Sequence, residues 1–209
     1  MTSDEQRLRQ AVVAAAHSAF ARGLTHGSTG NISARMDERV LVTPTGSSLG
    51  TVTADELSLV DLDGRHLDGP RPSKEAVLHT AMLRARPDAR AVVHTHSTHA
   101  AAVSCLADLD PDRPLPAFTA YYAMRVGTMP VVGYFPPGDP GLAEAAERLA
   151  PEHRALLLAN HGPIVAAASV TAAMDAAEEI EETARLFFLL HGHRTRPLTA
   201  AEVDALRAG

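Results

Sequence analysis

The sequence is poor in the residue types that disulfides, thiolate metal sites and stacking surfaces require. Its 209 residues include one cysteine, Cys105, and no tryptophan, and aromatic residues make up only 4%. A single cysteine excludes an internal disulfide and a cysteine-based zinc site. The scarcity of aromatic rings leaves few platforms on which nucleic-acid bases could stack.

Long hydrophobic runs and clusters of basic residues are also missing. The longest apolar stretches, "RALLLAN" and "ARLFFLLHG", are far shorter than the roughly 20 residues needed to span a bilayer. The start, "MTSDEQRLRQAVV", lacks the basic and then apolar order of a signal peptide. The net charge is −6. We therefore expect a cytoplasmic protein that binds neither nucleic acid nor a membrane surface.

Alternating and helical hydrophobic patterns follow one another along the whole chain, without an internal repeat or a linker. They predict one α/β domain over residues 1–209, with a mostly antiparallel central sheet flanked by helices. Strands are expected within residues 32–36, 40–44, 57–62, 65–67, 89–96, 129–135, 154–160 and 162–168. Helices are expected within residues 4–22, 72–87, 97–109, 139–150, 169–192 and 199–208.

Polar residues mark several expected helix starts. Ser73 and Ser97 are expected N-caps, and Asp139 is expected to cap a helix whose first position is Pro140. The segment "AYYAMRVG", residues 120–127, is interpreted as a loop leading into a strand. Ordinary packing is the simpler explanation for at least one of its two tyrosines.

Three histidines lie within six positions in the segment "HTHSTH". His94 and His96 are two residues apart on an expected strand, so their side chains leave from the same face. His161 stands where another buried strand meets a turn, and Glu75 opens the helix that precedes the histidine strand. Three imidazoles and one carboxylate match the ligands of a zinc-type site. The sequence therefore predicts a metal site formed by Glu75, His94, His96 and His161.

Simpler interpretations stand beside this one. A His-x-His pair by itself is often structural or exposed, and His99 lies on the following helix as a neighbour of the site or a surface residue. The expected ion is Zn²⁺, although Mn²⁺ and Co²⁺ are compatible because ligands of this type accept all three. A protein that only stores or senses metal would bind the ion without turnover.

Gly, Ser and Thr concentrate in two loops, "GSTGN" at 27–31 and "TPTGSS" at 43–48. Backbone N–H groups in such loops can turn inward and hold an anion. Ser73 and Lys74 add a helix N-terminus and a positive charge. Each segment is also typical of an ordinary turn, and none matches a P-loop or a dinucleotide-binding sequence. Jointly they could hold one phosphate.

In order and spacing, "GSTGNIS", "TPTG", "PSKE", "VVHTHSTH" and "LLLANHGP" resemble the class II aldolase/adducin family over roughly residues 5–190. The segments "RPSKE", "HTHSTH", "FTAYYAMRVG" and "YFPPGDP" resemble most the 3-oxo-tetronate 4-phosphate decarboxylase branch. The resemblance implies a class II aldolase-like fold and an enzyme acting on a small phosphorylated sugar acid.

The resemblance also implies roles for individual residues. His94, His96 and His161 match the zinc-binding histidines, and Glu75 matches an acid/base carboxylate that can also ligate the metal. The residues that match the phosphate-binding segments are Ser28, Asn31, Thr45, Gly46, Ser73 and Lys74. Where the aldolases have two serines before the glutamate, this chain has Ser73 and Lys74, which leaves the role of the second serine open.

Family members commonly form homotetramers with the site at a subunit interface. The resemblance therefore implies a homotetramer in which Tyr121 or Tyr122 reaches the site of a neighbouring subunit. Lys74 and Arg125 are both candidates to hold the carboxylate that leaves the substrate, and the sequence does not choose between them.

The implied reaction is decarboxylation of a 3-oxo-tetronate 4-phosphate to dihydroxyacetone phosphate and CO2 through a metal-stabilised enediolate. One alternative is a sugar-phosphate aldolase of the same family, similar to L-fuculose-phosphate aldolase, whose second product is an aldehyde. A more distant alternative is a non-catalytic scaffold similar to adducin.

Overall fold

The computed structural model describes residues 3–208, in which eight strands form a single sheet. The strands are β1 (Asn31–Met36), β2 (Arg39–Val42), β3 (Ser58–Asp61), β4 (His66–Asp68), β5 (Ala91–His94), β6 (Val131–Val132), β7 (Ala155–Leu158) and β8 (Gly162–Ala167). Their order is β4-β3-β2-β1-β5-β8-β7-β6. Every pair is antiparallel except β6 with β7. The predicted mostly antiparallel sheet is confirmed.

Helices cover both faces of this sheet. They are α1 (Ser3–Ala21), α2 (Ala76–Ala85), α3 (Thr98–Ser104), α4 (Ala120–Arg125), α5 (Pro140–Leu149), α6 (Val170–Leu189) and α7 (Ala200–Ala208). One core lies between the sheet and α2 with α5. On the other face, α1 and α6 pack over the middle of the sheet, and α3 and α4 pack with α6 beside β7 and β8. Among the described residues, no helix is long and apolar enough to cross a membrane.

Helix starts show where local sequence rules were sufficient and where they were not. Asp139 accepts a hydrogen bond from the backbone N–H of Gly141 over 2.8 Å and Pro140 is the first helical residue, as expected. Ser73 is not the N-cap of α2, because its hydroxyl accepts from the N–H of Glu75 and the helix begins only at Ala76. The expected cap was therefore wrong.

Of two further expectations, one was confirmed in position only and the other was wrong. Ser97 occupies the cap position of α3, but its side chain makes no capping hydrogen bond. Residues 120–125 form helix α4 and not a loop leading into a strand. The hydroxyl of Thr119 accepts from the N–H of Tyr122 over 3.2 Å, and this capping bond begins the helix.

Candidate active site

The central strand β5 directs one histidine toward α2. Side chains alternate along a strand, and here Ala91 and Val93 pack on the side of α1 and α6, whereas Val92 packs on the side of α2 and α5. His94 continues the alternation, so its imidazole lies on the α2 side. Asn31 is its register partner on β1 and lies on the same side.

Three imidazoles converge where β5 ends and β8 begins. Nε2 of His94 lies 3.0 Å from Nε2 of His96 and 3.2 Å from Nε2 of His161. The three ring centroids are 4.7 to 4.8 Å apart in every pair. β5 ends at His94, two residues earlier than the sequence predicted, and His96 follows it in irregular backbone.

Glu75 completes the cluster from the residue that precedes α2. Its side chain is buried, with Oε2 3.5 Å from Nε2 of His94 and Oε1 3.3 Å from Nε2 of His161. Asn31 donates a hydrogen bond from Nδ2 to Oε2 over 2.8 Å, whereas Oε1 makes no hydrogen bond. The carboxylate therefore has one oxygen held by the protein and one free to bind another group.

The spacing of these ligand atoms suits a divalent metal ion. The four side chains offer atoms that all lie within 4.8 Å of one another. A tetrahedral zinc ion with bonds of about 2.0–2.1 Å separates its ligand atoms by about 3.3 Å. The separations of His94 from His96, His161 and Glu75, and of His161 from Glu75, are 3.0 to 3.5 Å. A buried group of imidazole nitrogens facing a carboxylate oxygen without a hydrogen bond fits such an ion.

Protonation states also favour metal binding. Nδ1 of His94 donates to the carbonyl oxygen of Pro163 over 2.9 Å, which leaves Nε2 with its lone pair directed into the cluster. Burial, together with repulsion from His94, lowers the pKa of His96 to about 3 and that of His161 to about 4. Both side chains are therefore neutral near pH 7, which is the form that ligates a metal.

The carboxyl group of Glu75 is ionised. Burial alone raises its pKa, but attraction to His94, the hydrogen bond from Asn31 and attraction to His161 lower it more, and the resulting pKa is about 2. This anion, beside the neutral side chains of His96 and His161, supplies the negative charge that a divalent cation needs from a mixed ligand set.

The turn that presents His161 is fixed by its backbone. Asn160 has φ of +55° and Gly162 has φ of +151°, so the turn uses conformations that few side chains adopt. A Cβ on Gly162 would overlap the carbonyl oxygen of Thr95, because β8 begins against the segment that carries His96. Ser104, at the end of α3, accepts hydrogen bonds from the N–H groups of Asn160 and His161.

A cavity of about 310 Å³ opens beside the cluster. Every predicted phosphate-binding residue lines it, as do three of the four cluster residues; together they are Ser28, Asn31, Thr45, Gly46, Ser73, Lys74, Glu75, His96 and His161. Gly30 and Gly46 have φ of +74° and +73°, so both loops contain a left-handed turn of the kind found in anion-binding nests. The candidate metal-ligand cluster is therefore continuous with a cavity lined by the predicted phosphate-binding residues.

Comparison with known proteins agrees with this arrangement. Residues 10–188 match the family model of the class II aldolase and adducin N-terminal domain. The chain belongs to the class II aldolase and adducin family. It is 48% identical over 199 residues to the 3-oxo-tetronate 4-phosphate decarboxylase of Haemophilus influenzae, covering 95% of each chain. It is 36% identical over 166 residues to the L-fuculose phosphate aldolase of an Escherichia coli strain, covering 79% of this chain and 75% of the aldolase.

The fold of this chain also matches that of a solved relative. The crystal structure of YgbL from Klebsiella pneumoniae superposes with a TM-score of 0.94 at 47% identity, covering 99% of this chain and 100% of that one. The predicted class II aldolase-like fold is therefore confirmed.

Two residues that the sequence assigned to catalysis lie elsewhere. Tyr122 is 2% exposed and packs in the core beneath α6, and burial raises the pKa of its hydroxyl above the ordinary value. Tyr121 is 59% exposed on α4, with the guanidinium of Arg125 5.2 Å from its ring centroid. In the described chain, neither tyrosine lines the cavity.

His99 forms a hydrogen bond with Glu181 and not with the metal-ligand cluster. Its Nδ1 donates to Oε1 of Glu181 over 2.7 Å, and Glu181 also accepts from the backbone N–H groups of His99 and Ala100. Glu181, on α6, thus takes the capping role expected of Ser97. The sequence carried no sign of this contact, because the two residues are 82 positions apart.

Other residues near the cluster were also missed. Pro137, in the loop between β6 and α5, lines the cavity. His79 is fully buried behind Glu75 on α2, and its Nδ1 bonds to the hydroxyl of Ser33 over 2.8 Å, while its Nε2 has no partner. The spacing of four residues from Glu75 to His79 was the only sequence signal for this buried histidine.

Proposed function

We propose that this chain is a metal-dependent 3-oxo-tetronate 4-phosphate decarboxylase that forms dihydroxyacetone phosphate and CO2. The observation that carries the proposal is the cluster of four ligands beside a cavity lined by all the predicted phosphate-binding residues. The similarity to curated decarboxylases over nearly the full length of both chains supports this reaction over others in the family.

Zn²⁺ is the proposed ion, held by Glu75, His94, His96 and His161. The nitrogen-rich ligand set and the separations of the ligand atoms support this choice. When bound, a divalent cation supplies the positive charge that stabilises negative charge developing on the oxygen next to the bond that breaks.

The loops at one end of the cavity orient the substrate. Ser28, Thr45, Gly46 and Ser73 surround a space in which backbone N–H groups and hydroxyls can bind a phosphate. Fixing the phosphate places the other end of a four-carbon substrate near the cluster. Holding the reacting bond in one orientation removes part of the entropic cost of the reaction.

Glu75 is the proposed carrier of the proton that the product carbon requires. In the reaction the bond between the carboxyl carbon and its neighbour breaks, its electron pair stays on the neighbour, and that carbon takes up a proton. Glu75 is an anion before substrate binds. The negative charges of the substrate raise the pKa of Glu75 when they enter the cavity, which favours uptake of the proton to be transferred.

We also propose a cytoplasmic homotetramer. Tyr121 and Met124 are 59% and 48% exposed on α4, which is unusual for large apolar side chains and favours a subunit contact there. In that arrangement Tyr121, rather than the buried Tyr122, is the tyrosine that reaches a neighbouring site. Phosphorylated substrates do not cross membranes unaided, which supports the cytoplasm as the compartment.

Three rival functions make different predictions. A sugar-phosphate aldolase would use the same cluster and cavity but release an aldehyde. An adducin-like scaffold, or a protein that only stores or senses metal, would show no turnover. The complete set of ligands beside a substrate-sized cavity argues against a scaffold.

The test is a product assay on the zinc-loaded protein with 3-oxo-tetronate 4-phosphate labelled at its carboxyl carbon. Release of labelled CO2 together with dihydroxyacetone phosphate is the expected result. If no CO2 forms while bound zinc is verified, the decarboxylase is rejected, and cleavage of phosphorylated ketoses to an aldehyde would then support the aldolase.

A further inference from the structure

Lys74 is the only lysine in the sequence, in which the other 18 of the 19 Lys and Arg residues are arginine. It is also the only Lys or Arg that lines the cavity within the described chain. Its side chain is exposed, and no carboxylate of the described residues forms an ion pair with it. The cavity therefore contains one basic side chain whose charge is not neutralised by the protein.

Ser73 and Lys74, although adjacent, contact different segments of the chain beside the cavity. The backbone N–H of Ser73 donates to the carbonyl oxygen of Thr43 over 3.2 Å, which ties Ser73 to the end of β2 beside the Gly/Ser/Thr loops. The Cβ of Lys74 instead lies beside Gly138, since a Cβ on Gly138 would be 3.3 Å from it. Gly138 follows β6, which is at the opposite edge of the sheet from β2 and its neighbours.

The order of the strands gives the cavity two distinct ends, because the cavity runs across the strand ends that carry the cluster. The loops that end at β1 and follow β2 line one end of the cavity, and the metal-ligand cluster at β5 and β8 lies next to them. Pro137, in the loop that follows β6, lines the other end. The Cβ of Lys74 lies against the loop that lines this second end, beside Gly138. A molecule with an anionic group at each end matches this layout.

We propose that Lys74 binds the carboxylate of the substrate, the group that departs as CO2, in a second anion subsite between the Ser73–Glu75 turn and the Pro137–Gly138 segment. This inference rests on the proposed function, since the substrate of a decarboxylase carries a carboxylate in addition to its phosphate. It assigns Lys74 to the carboxylate and leaves the phosphate to the loops at the other end.

Arg125, the other candidate for this role, is occupied elsewhere. Its guanidinium lies 3.7 Å from Asp175 and 3.5 Å from Glu179, and it stacks over the ring of Tyr121. It does not line the cavity within the described chain. Lys74 is therefore the basic group that this chain provides to its own site.

The chemistry of the leaving group dictates which kinetic constant Lys74 affects. The carboxylate carries a full negative charge in the bound substrate and becomes neutral CO2 as the carbon–carbon bond breaks. The ammonium group of Lys74 therefore stabilises the bound substrate at least as well as the transition state. Such an interaction lowers KM without raising kcat.

The first test compares K74Q with K74R and with R148Q, which removes an exposed charge at the end of α5, outside the cavity. For zinc-loaded K74Q we expect KM for 3-oxo-tetronate 4-phosphate to rise about tenfold or more, with no fall in kcat. K74R is expected to recover much of the affinity because it retains the charge, and R148Q to match the unmodified protein. A fall in kcat with unchanged KM would overturn the assignment.

The second test uses two ligands that differ in the carboxylate. Erythronate 4-phosphate has phosphate and carboxylate but no ketone, so it cannot decarboxylate, whereas dihydroxyacetone phosphate has only the phosphate. We expect K74Q to weaken calorimetric binding of erythronate 4-phosphate about tenfold and to leave binding of dihydroxyacetone phosphate unchanged. Equal weakening of both ligands would place Lys74 at the phosphate and reject the proposed subsite.

A third measurement exploits the single lysine. Reductive methylation with ¹³C-formaldehyde labels only Lys74 and the N-terminal amine, so the Lys74 methyl signal can be followed by NMR. It is expected to shift on addition of erythronate 4-phosphate and to stay in place with dihydroxyacetone phosphate. These binding measurements separate two failures, since absence of CO2 release rejects the proposed reaction, whereas an unmoved methyl signal with bound erythronate 4-phosphate rejects the subsite.

Discussion

Asn31 donates a hydrogen bond from Nδ2 to Oε2 of Glu75 over 2.8 Å, and this contact joins the start of β1 to the start of α2. It holds one oxygen of the carboxylate while the other faces His161 without a hydrogen bond. Removing the amide in N31A leaves Glu75 free to rotate and raises its pKa. We expect metal affinity to fall about 10- to 100-fold, measured by competition with a chromogenic chelator. Unchanged affinity would mean that Asn31 serves the substrate and not Glu75.

Loss of an imidazole from the cluster is expected to abolish both metal content and turnover. Each of H94A and H96A removes one nitrogen from a set of four ligands. Metal content by plasma mass spectrometry and CO2 release should fall together in both variants. H66A, which removes an exposed histidine on β4, is the matched control and should retain both. Full activity of H94A without bound metal would refute the metal-dependent mechanism.

Replacing Glu75 by glutamine separates proton transfer from folding. E75Q keeps the size of the side chain and a hydrogen-bonding oxygen for Asn31, so the protein should fold normally. Turnover is expected to fall about 10²- to 10⁴-fold because the proton carrier is lost. Activity should be compared at equal zinc occupancy, since E75Q also removes a charged ligand. Normal turnover would reduce Glu75 to a residue that only supports the start of α2.

The metal-free protein is expected to lose stability as the pH falls below about 6.5. His79 is fully buried, and burial with repulsion from His94 lowers its pKa to about 3. Between pH 6.5 and 3 the unfolded chain therefore binds a proton that the folded chain does not, so the free energy of unfolding decreases with falling pH.

This dependence can be measured by urea denaturation in EDTA at pH 7, 6 and 5. Each buried neutral histidine contributes up to about 1.4 kcal/mol per pH unit in that window. H79Q should show a shallower decrease than the unmodified protein, whereas H66Q, at an exposed site, should show the same decrease. Identical slopes for all three proteins would show that His79 accepts a proton in the folded state.

Glu181 is expected to stabilise the start of α3. Its carboxylate accepts from the N–H groups of His99 and Ala100 and from the ring of His99. E181A should lower the free energy of unfolding by about 1–2 kcal/mol, as loss of a helix cap does. E182A, which removes only an exposed pair with Arg185, should change it by less than about 1 kcal/mol. Equal effects would show that the capping bonds contribute little.

The members of the metal-ligand cluster could be selected from the sequence because each stands at a position that local rules recognise. Alternation along a strand, the turn after a buried strand and the start of a helix were enough to select Glu75, His94, His96 and His161. The same rules identified the loops that contain Ser28, Thr45 and Ser73. Each of these residues could be assigned from its immediate neighbours in the chain.

The features that the sequence did not predict depend on contacts between distant parts of the chain. The proximity of Lys74 to Gly138 requires the placement of β6 at the sheet edge, and the capping of α3 by Glu181 requires the packing of α6. The helix at 120–125 was missed because its capping residue, Thr119, was not recognised. The proposed role of Tyr121 came from the family resemblance, because it requires a contact with a second subunit.

The wide separation of the ligands along the chain has a consequence for folding kinetics. His94 and His161 are 67 residues apart, and Asn31 is 44 residues from Glu75. Non-local contacts of this kind form late because long loops must close first. Early in folding, a metal ion therefore finds few of its ligands in place, and we expect it to increase the refolding rate little. We expect the same ion to slow unfolding by an amount that reflects its whole binding free energy.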